Sequence, residues 1–291
     1  MARESITDGT CGHRITPEHA PASRSMLCLS ILSVFCWTAS LAAETCEYLG
    51  NDQRTGYVDA QPPEDFSITW TFHERHAPMH AWKDPTREVQ HIDFDYSSQL
   101  CVTDGLVIFG SSADHTLRAL DLTTGKQQWK LHLGAPIRFA PEPGNGCIYV
   151  AGDDGFVRCL ATKTGEELWK FRTGPRDTHC MGNDQLISRW PCRSGVLLAG
   201  DKLYCTGGMW SRDGVYIYCL DAGTGTIIWK NDTSGFHYSV LPHSDGYNGV
   251  SPQGNLVLYK GILYVPAGRA EPAFYDATTG ELLHCETGVG Y

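Results

Sequence analysis

The sequence has no block of Lys or Arg, and its acidic residues outnumber the basic ones 33 to 23, for a net charge of −10. Binding to a phosphate backbone rests on clustered cations, so a nucleic-acid partner is ruled out as a reading. No CxxC pair and no tight Cys/His cluster occurs among the 12 cysteines, which leaves nothing with zinc-ligand spacing. GxSxG, HExxH and phosphate-loop signatures are also missing, and with them the common local marks of hydrolase, metalloprotease and nucleotide chemistry. Charged residues are sparse at 19%, while 31 Gly and 15 Pro point to a chain full of turns.

One long apolar run is present. Residues 26–43 (MLCLSILSVFCWTASLAA) carry no charge, follow Arg24, and end in small residues, with Ser40 and Ala42 suited to the −3 and −1 positions of a signal-peptidase site. The run approaches the ~18 residues of a bilayer span, yet its small-residue end favours export with cleavage over an anchor. No Cys sits where a lipoprotein signal requires one, and no second membrane candidate follows. Residues 1–43 are therefore read as a signal peptide with a polar extension, and the product as exported, periplasmic or secreted. Beyond this leader lie Cys46, Cys101, Cys147, Cys159, Cys180, Cys192, Cys205, Cys219 and Cys285. Export permits disulfides, the odd count leaves at least one thiol unpaired, and several of these residues fall in apolar strand patterns as small hydrophobes.

Self-similarity dominates the rest of the chain. ALDLTTGKQQWK (119–130), CLATKTGEELWK (159–170), CLDAGTGTIIWK (219–230) and FYDATTGELLHC (274–285) share one pattern. Each reads as an apolar strand, a T-G turn, and a second strand with an aromatic ring four residues past the Gly. Gly125, Gly165, Gly225 and Gly280 supply the positive φ that ends a short hairpin loop. Trp129, Trp169 and Trp229 alternate with Lys or Arg along the following strand, so they are assigned to packing between sheets. Another strand ending in Gly precedes each hairpin, with one more apolar segment before it. Four antiparallel strands repeated at about 40 residues form the signature of a β-propeller blade.

The A-x-D-x-x-T-G-x-x-x-W pattern resembles the repeat of the pyrroloquinoline-quinone (PQQ) propeller family. That family includes quinoprotein alcohol dehydrogenases and the propeller lipoprotein of outer-membrane assembly. The resemblance runs from about Thr69 to the C-terminus, with His284 in place of the fourth Trp. It implies an all-β propeller with blades at about 98–133, 137–172, 194–231 and 252–287, within a region 98–291. An N-terminal segment, 44–97, carries a lone outer strand near 68–72. Family propellers usually close with seven or eight blades, so the expectation is an incomplete ring of about four.

Trp70, Trp129, Trp169, Trp229 and His284 are 59, 40, 60 and 55 residues apart. The excess over 40 falls after the outer strands, on the face opposite the T-G hairpins, where a propeller's function usually sits. Binding-face candidates are His179, Arg189, Trp190, Arg193, Trp210, Arg212, His237, Gln253, Arg269 and Glu271, because Arg beside Trp can stack on and hydrogen-bond a ligand. The bland alternative is that they anchor long loops to one another. His73, His76 and His80 share no helix face and are not read as a metal site, and Asn231-Asp232-Thr233 is a glycosylation sequon. Dehydrogenases of the family hold PQQ and Ca²⁺ on the axis, commonly beside a vicinal Cys-Cys ring. The chain has no adjacent Cys pair and no cluster of hard oxygen ligands. The leading expectation is a non-catalytic binding or assembly scaffold with no cofactor and a protein or envelope partner. The alternatives are a PQQ-dependent dehydrogenase and a carbohydrate- or protein-binding envelope module.

Overall fold

The computed structural model describes residues 31–33, 46–57, 59, 65–82, 95–240, 245–267 and 270–286, with backbone alone for 31–33, 237, 239, 240, 245, 247, 248 and 270. Most of the leader, together with Arg269, lies outside them.

Four antiparallel meanders of four strands each follow one another along the chain. Blade 1 comprises Leu100–Thr103, Leu106–Gly110, Thr116–Asp121 and Gln127–His132. Blade 2 comprises Glu142–Gly144, Cys147–Ala151, Phe156–Ala161 and Glu167–Arg172. Blade 3 comprises Leu197–Ala199, Lys202–Gly207, Tyr216–Asp221 and Ile227–Asn231. Blade 4 comprises Val257–Tyr259, Ile262–Ala267, Ala270–Asp276 and Leu282–His284. The chain is a β-propeller, and among the described residues no helix is long and apolar enough to cross a membrane.

Middle strands are buried on both faces because each blade is packed between neighbours. Ile148, Val150 and Leu160 join the blade 1 core, whereas Tyr149, Ala151, Val157 and Cys159 face Leu203, Cys205 and Leu220 of blade 3. Such strands read as continuous apolar runs, while the outer strands alternate. In blade 2, Trp169 and Phe171 are half-buried and Lys170 and Arg172 exposed. The nine described cysteines are free, and Cys101, Cys159, Cys192, Cys205 and Cys219 are buried, acting as small apolar side chains.

The repeat motif is an inter-blade latch. Trp129 donates from Nε1 to Thr162 O of the next blade at 2.9 Å, and its ring lies on Gly165. Trp169 repeats this on Ala222 O at 3.1 Å and Gly225, and Trp229 on Ala277 O at 3.0 Å and Gly280. Gly165 has a φ of 72°, and a Cβ there would stand 2.8 Å from Trp129 Cε3, so both backbone and ring demand glycine. Trp70 makes the same latch one step earlier, on Leu122 O at 2.9 Å and Gly125. It precedes the short strand Thr71–His73, which pairs with Ile31–Ser33. The T-G turn is itself capped: Asp121 Oδ1 accepts from both the N–H and the hydroxyl of Thr124, at 2.7 Å each. Asp221 caps its turn in the same manner and Asp276 accepts from the N–H groups of Thr278 and Thr279 at 2.8 Å each, but blade 2 has Ala161 at that position.

Candidate functional site

The strand order places the T-G hairpins on one face and the crossings between blades on the other. Two extra hairpins stand in those crossings. His179–Gly182 pairs with Gln185–Ser188 between blades 2 and 3, and His237–Val240 pairs with Asp245–Asn248 between blades 3 and 4. Met181, Leu186, Phe236 and Tyr238 on these hairpins are exposed. A short 3-10 turn, Ser211–Asp213, rises from blade 3 against the second hairpin.

Two N-terminal straps tie the blades together. Residues 46–57 lie on the inner strands: Cys46 bridges Val102, Arg54 donates to Glu142 Oε2 at 2.9 Å, and Leu258 N donates to Asp52 O at 3.0 Å. Arg54 also meets Glu47 at 2.8 Å, so one cation serves two carboxylates. Glu142 is pushed up to about 8, chiefly by burial, with Arg54 opposing and Glu47 adding to the rise. Residues 79–82 cross the insertion face. Met79 N donates to Ser112 Oγ at 3.0 Å, Asn183 Nδ2 to His80 O at 2.7 Å, and Trp82 Nε1 to Gln253 Oε1 at 2.9 Å.

Beneath the second strap is a buried charge quartet. Asp153 accepts from Arg138 Nε at 2.7 Å and from Arg193 Nε at 2.8 Å, while Asp95 binds Arg138 Nη1 and accepts from Ala81 N at 2.7 Å. All four side chains are nearly inaccessible. Two Arg and two Asp balance in charge, which offsets the cost of burying them. Arg138 Nη2 and Arg193 Nη1 nonetheless remain buried without a partner among the described residues.

Two pockets open on this face. One, of about 330 Å³, is lined chiefly by Trp82, Trp210, Met181, Met209, Ile187 and Arg193. The other, of about 280 Å³, gathers Arg176, Arg189 and Arg212 beside Asp213, with Arg189 paired to Asp213 at 2.5 Å. The sequence-derived candidates divide accordingly. Arg189, Trp190, Arg193, Trp210 and Arg212 line these pockets, and Gln253 steadies Trp82. Trp190 is buried, with its ring against Gly174 and Nε1 donating to Asp213 O at 2.7 Å, so it also anchors the loop. Arg193 belongs to the quartet. His179 is exposed and 3.7 Å from Asp177. Glu271 stands apart on blade 4 with His284 and Glu286, their ligand atoms within 4.8 Å of one another. The side chain of His237 and the whole of Arg269 lie outside the described residues. Trp82, Arg138, Asp153 and Arg176 were not among the candidates, because each sits in a crossing, loop or strap that carries no repeat.

The family model for outer membrane protein assembly factor BamB matches residues 54–203 and 157–287. The chain belongs to this family. It is 46% identical over 65 residues to the quinoprotein alcohol dehydrogenase PedE of Pseudomonas putida, a stretch covering 21% of the chain and 10% of PedE. It is 29% identical over 110 residues to BamB of Burkholderia pseudomallei, covering 38% of the chain and 25% of that protein. The structure of quinohemoprotein alcohol dehydrogenase ADHIIG from Pseudomonas putida HK5 superposes with a TM-score of 0.50 at 16% identity, over 64% of the chain and 33% of the enzyme. The chain thus spans a minor part of each relative, and the structural likeness speaks for the propeller fold alone.

Proposed function

We propose that the chain is an exported, non-catalytic scaffold of the BamB-like family that engages a protein partner through its insertion face. The observation that carries this reading is the asymmetry of the two faces. One face is a row of near-identical hairpins, and the other collects the two added hairpins, with exposed Met181, Leu186, Phe236 and Tyr238, and the arginine pocket. Loops held on a rigid scaffold are where propellers place recognition. Arg176, Arg189 and Arg212 stand with a single carboxylate, Asp213, in a chain of net charge −10, which favours an acidic segment on the partner. Membership of a family described as an outer membrane assembly factor, together with the apolar run at 26–43, supports an exported location.

The similarity to PedE raises a dehydrogenase reading, and the residues fit it poorly. A calcium–quinone site needs free hard oxygen ligands near the axis. Asp95 and Asp153, the buried carboxylates beneath the strap of residues 79–82, are already held by Arg138 and Arg193. No two cysteines are adjacent. The test is to incubate the full-length protein with PQQ and Ca²⁺ and follow both the quinone spectrum and dye-linked alcohol oxidation. The scaffold reading expects neither a bound quinone nor turnover, and turnover would overturn it.

A further inference from the structure

The 330 Å³ pocket between Trp82 and Trp210 carries a chemical preference of its own, one that rests on and deepens the scaffold reading. Its size is that of a small-ligand site, and its walls are apolar apart from Arg193 and Asn183. Asn183 is engaged with His80 O at 2.7 Å. Arg193 is 1% exposed, its Nε is held by Asp153, and its Nη1 has no partner among the described residues. An orphaned buried donor costs about 1–3 kcal/mol, and more when it belongs to a charged group, so it favours a ligand that brings an acceptor.

The charge of the surroundings decides what kind of acceptor. Arg138 and Arg193 are already balanced by Asp95 and Asp153. A carboxylate entering the pocket would leave an uncompensated negative charge in a poorly solvated place. A cation would meet the Arg193 guanidinium, and the nearby carboxylates of Asp95 and Asp153 are already held by arginines. An uncharged carbonyl oxygen satisfies the orphaned donor and leaves the balance intact. We infer that this pocket binds an uncharged apolar or aromatic group bearing a carbonyl acceptor, with the ring or alkyl body between Trp82 and Trp210 and the oxygen toward the Arg193 guanidinium. An apolar residue in a partner's backbone and a small aromatic ketone share this chemistry.

Met181 and Met209 line the pocket and the chain has only 5 Met, so methyl-¹³C methionine NMR of the full chain reads the site directly. The probes are N-acetyl-L-phenylalaninamide, acetophenone, hydrocinnamate and phenethylamine. The two neutral carbonyl compounds should shift the Met181 and Met209 signals saturably, at least tenfold more tightly than the acid or the amine. The tighter of the two neutral probes tells whether the natural source is a peptide or a small molecule. Arg193→Lys should weaken their binding by five- to tenfold. Trp210→Ala, at the rim and away from the quartet, should weaken it similarly if the lysine variant does not fold. Hydrocinnamate binding as tightly as the amide would overturn the inference. So would the absence of any saturable shift, or Trp210→Ala binding unchanged. Should the pocket fail while a partner still cross-links to the insertion face, the scaffold reading stands and only the pocket assignment falls.

Discussion

Replacing Gly165 by Ala isolates the inter-blade latch, because a matched control lies in the same blade. Gly146 and Gly165 have nearly equal φ values, 73° and 72°. A Cβ on Gly146 meets nothing within 4 Å, whereas one on Gly165 would stand 2.8 Å from Trp129 Cε3 and 2.9 Å from its Cδ2. The left-handed backbone costs Ala about 1–2 kcal/mol. Stiffening of the unfolded chain returns about 0.4–1 kcal/mol. Gly146→Ala should therefore lose about 1 kcal/mol or less. Gly165→Ala must also displace a bulky ring in a packed interface, adding about 1–3 kcal/mol. The bond from Trp129 Nε1 to Thr162 O, 2.9 Å, moves with the ring and puts about 1 kcal/mol more at risk. The expected total is about 2–5 kcal/mol, read as the shift in urea midpoint followed by far-UV circular dichroism. In a Trp129→Leu background the Gly165→Ala penalty should fall back to the Gly146→Ala value. Equal losses for the two glycines, or an unchanged penalty in the leucine background, would refute the latch.

Two further outcomes follow from single positions. Blade 2 lacks the turn-capping Asp, so Ala161→Asp should accept from Thr164 as Asp121 does from Thr124 and raise stability by about 0.5–1.5 kcal/mol in urea denaturation. Glu142 holds a proton in the folded state up to about pH 8, whereas an unfolded glutamate releases it near 4.5. The folded chain therefore binds more protons in that window, and unfolding free energy should decline as pH rises from about 4.5 to about 8, by at most about 1.4 kcal/mol per pH unit. Glu142→Gln should remove that slope in urea titrations at stepped pH.

The fold could be read in the sequence because it is written four times. Hairpin glycines, alternating outer strands and the Trp spacing are local signals, and the structure joins them blade to blade. Trp70 latches its ring onto the next hairpin as Trp169 does, but the strand beside it is Thr71–His73 and pairs with Ile31–Ser33 instead of standing alone. The insertion face was legible from where extra residues accumulate. Its chemistry was not, since Asp95, Asp153 and Arg193 meet Arg138 across wide sequence gaps with no periodicity to announce them. Trp190 and Arg193 have the composition of a binding surface, and burial gives each a second tie that no spacing announces: Trp190 lines the arginine pocket while holding the Asp213 loop, and Arg193 lines the tryptophan pocket from within the ion-pair network. Trp82 went unnoticed because the strap around it forms no strand and repeats nothing.

Site-specific photo-cross-linking in intact cells tests the scaffold most directly. The cross-linking residue is placed at exposed Arg176, Met181 or Arg212 on the insertion face, and at exposed Lys126-side positions Gln127 and Lys163 on the hairpin face. A binding scaffold should give one discrete protein adduct from the insertion-face positions and none from the hairpin face. Adducts of equal yield from both faces, or none from the insertion face, would contradict the account.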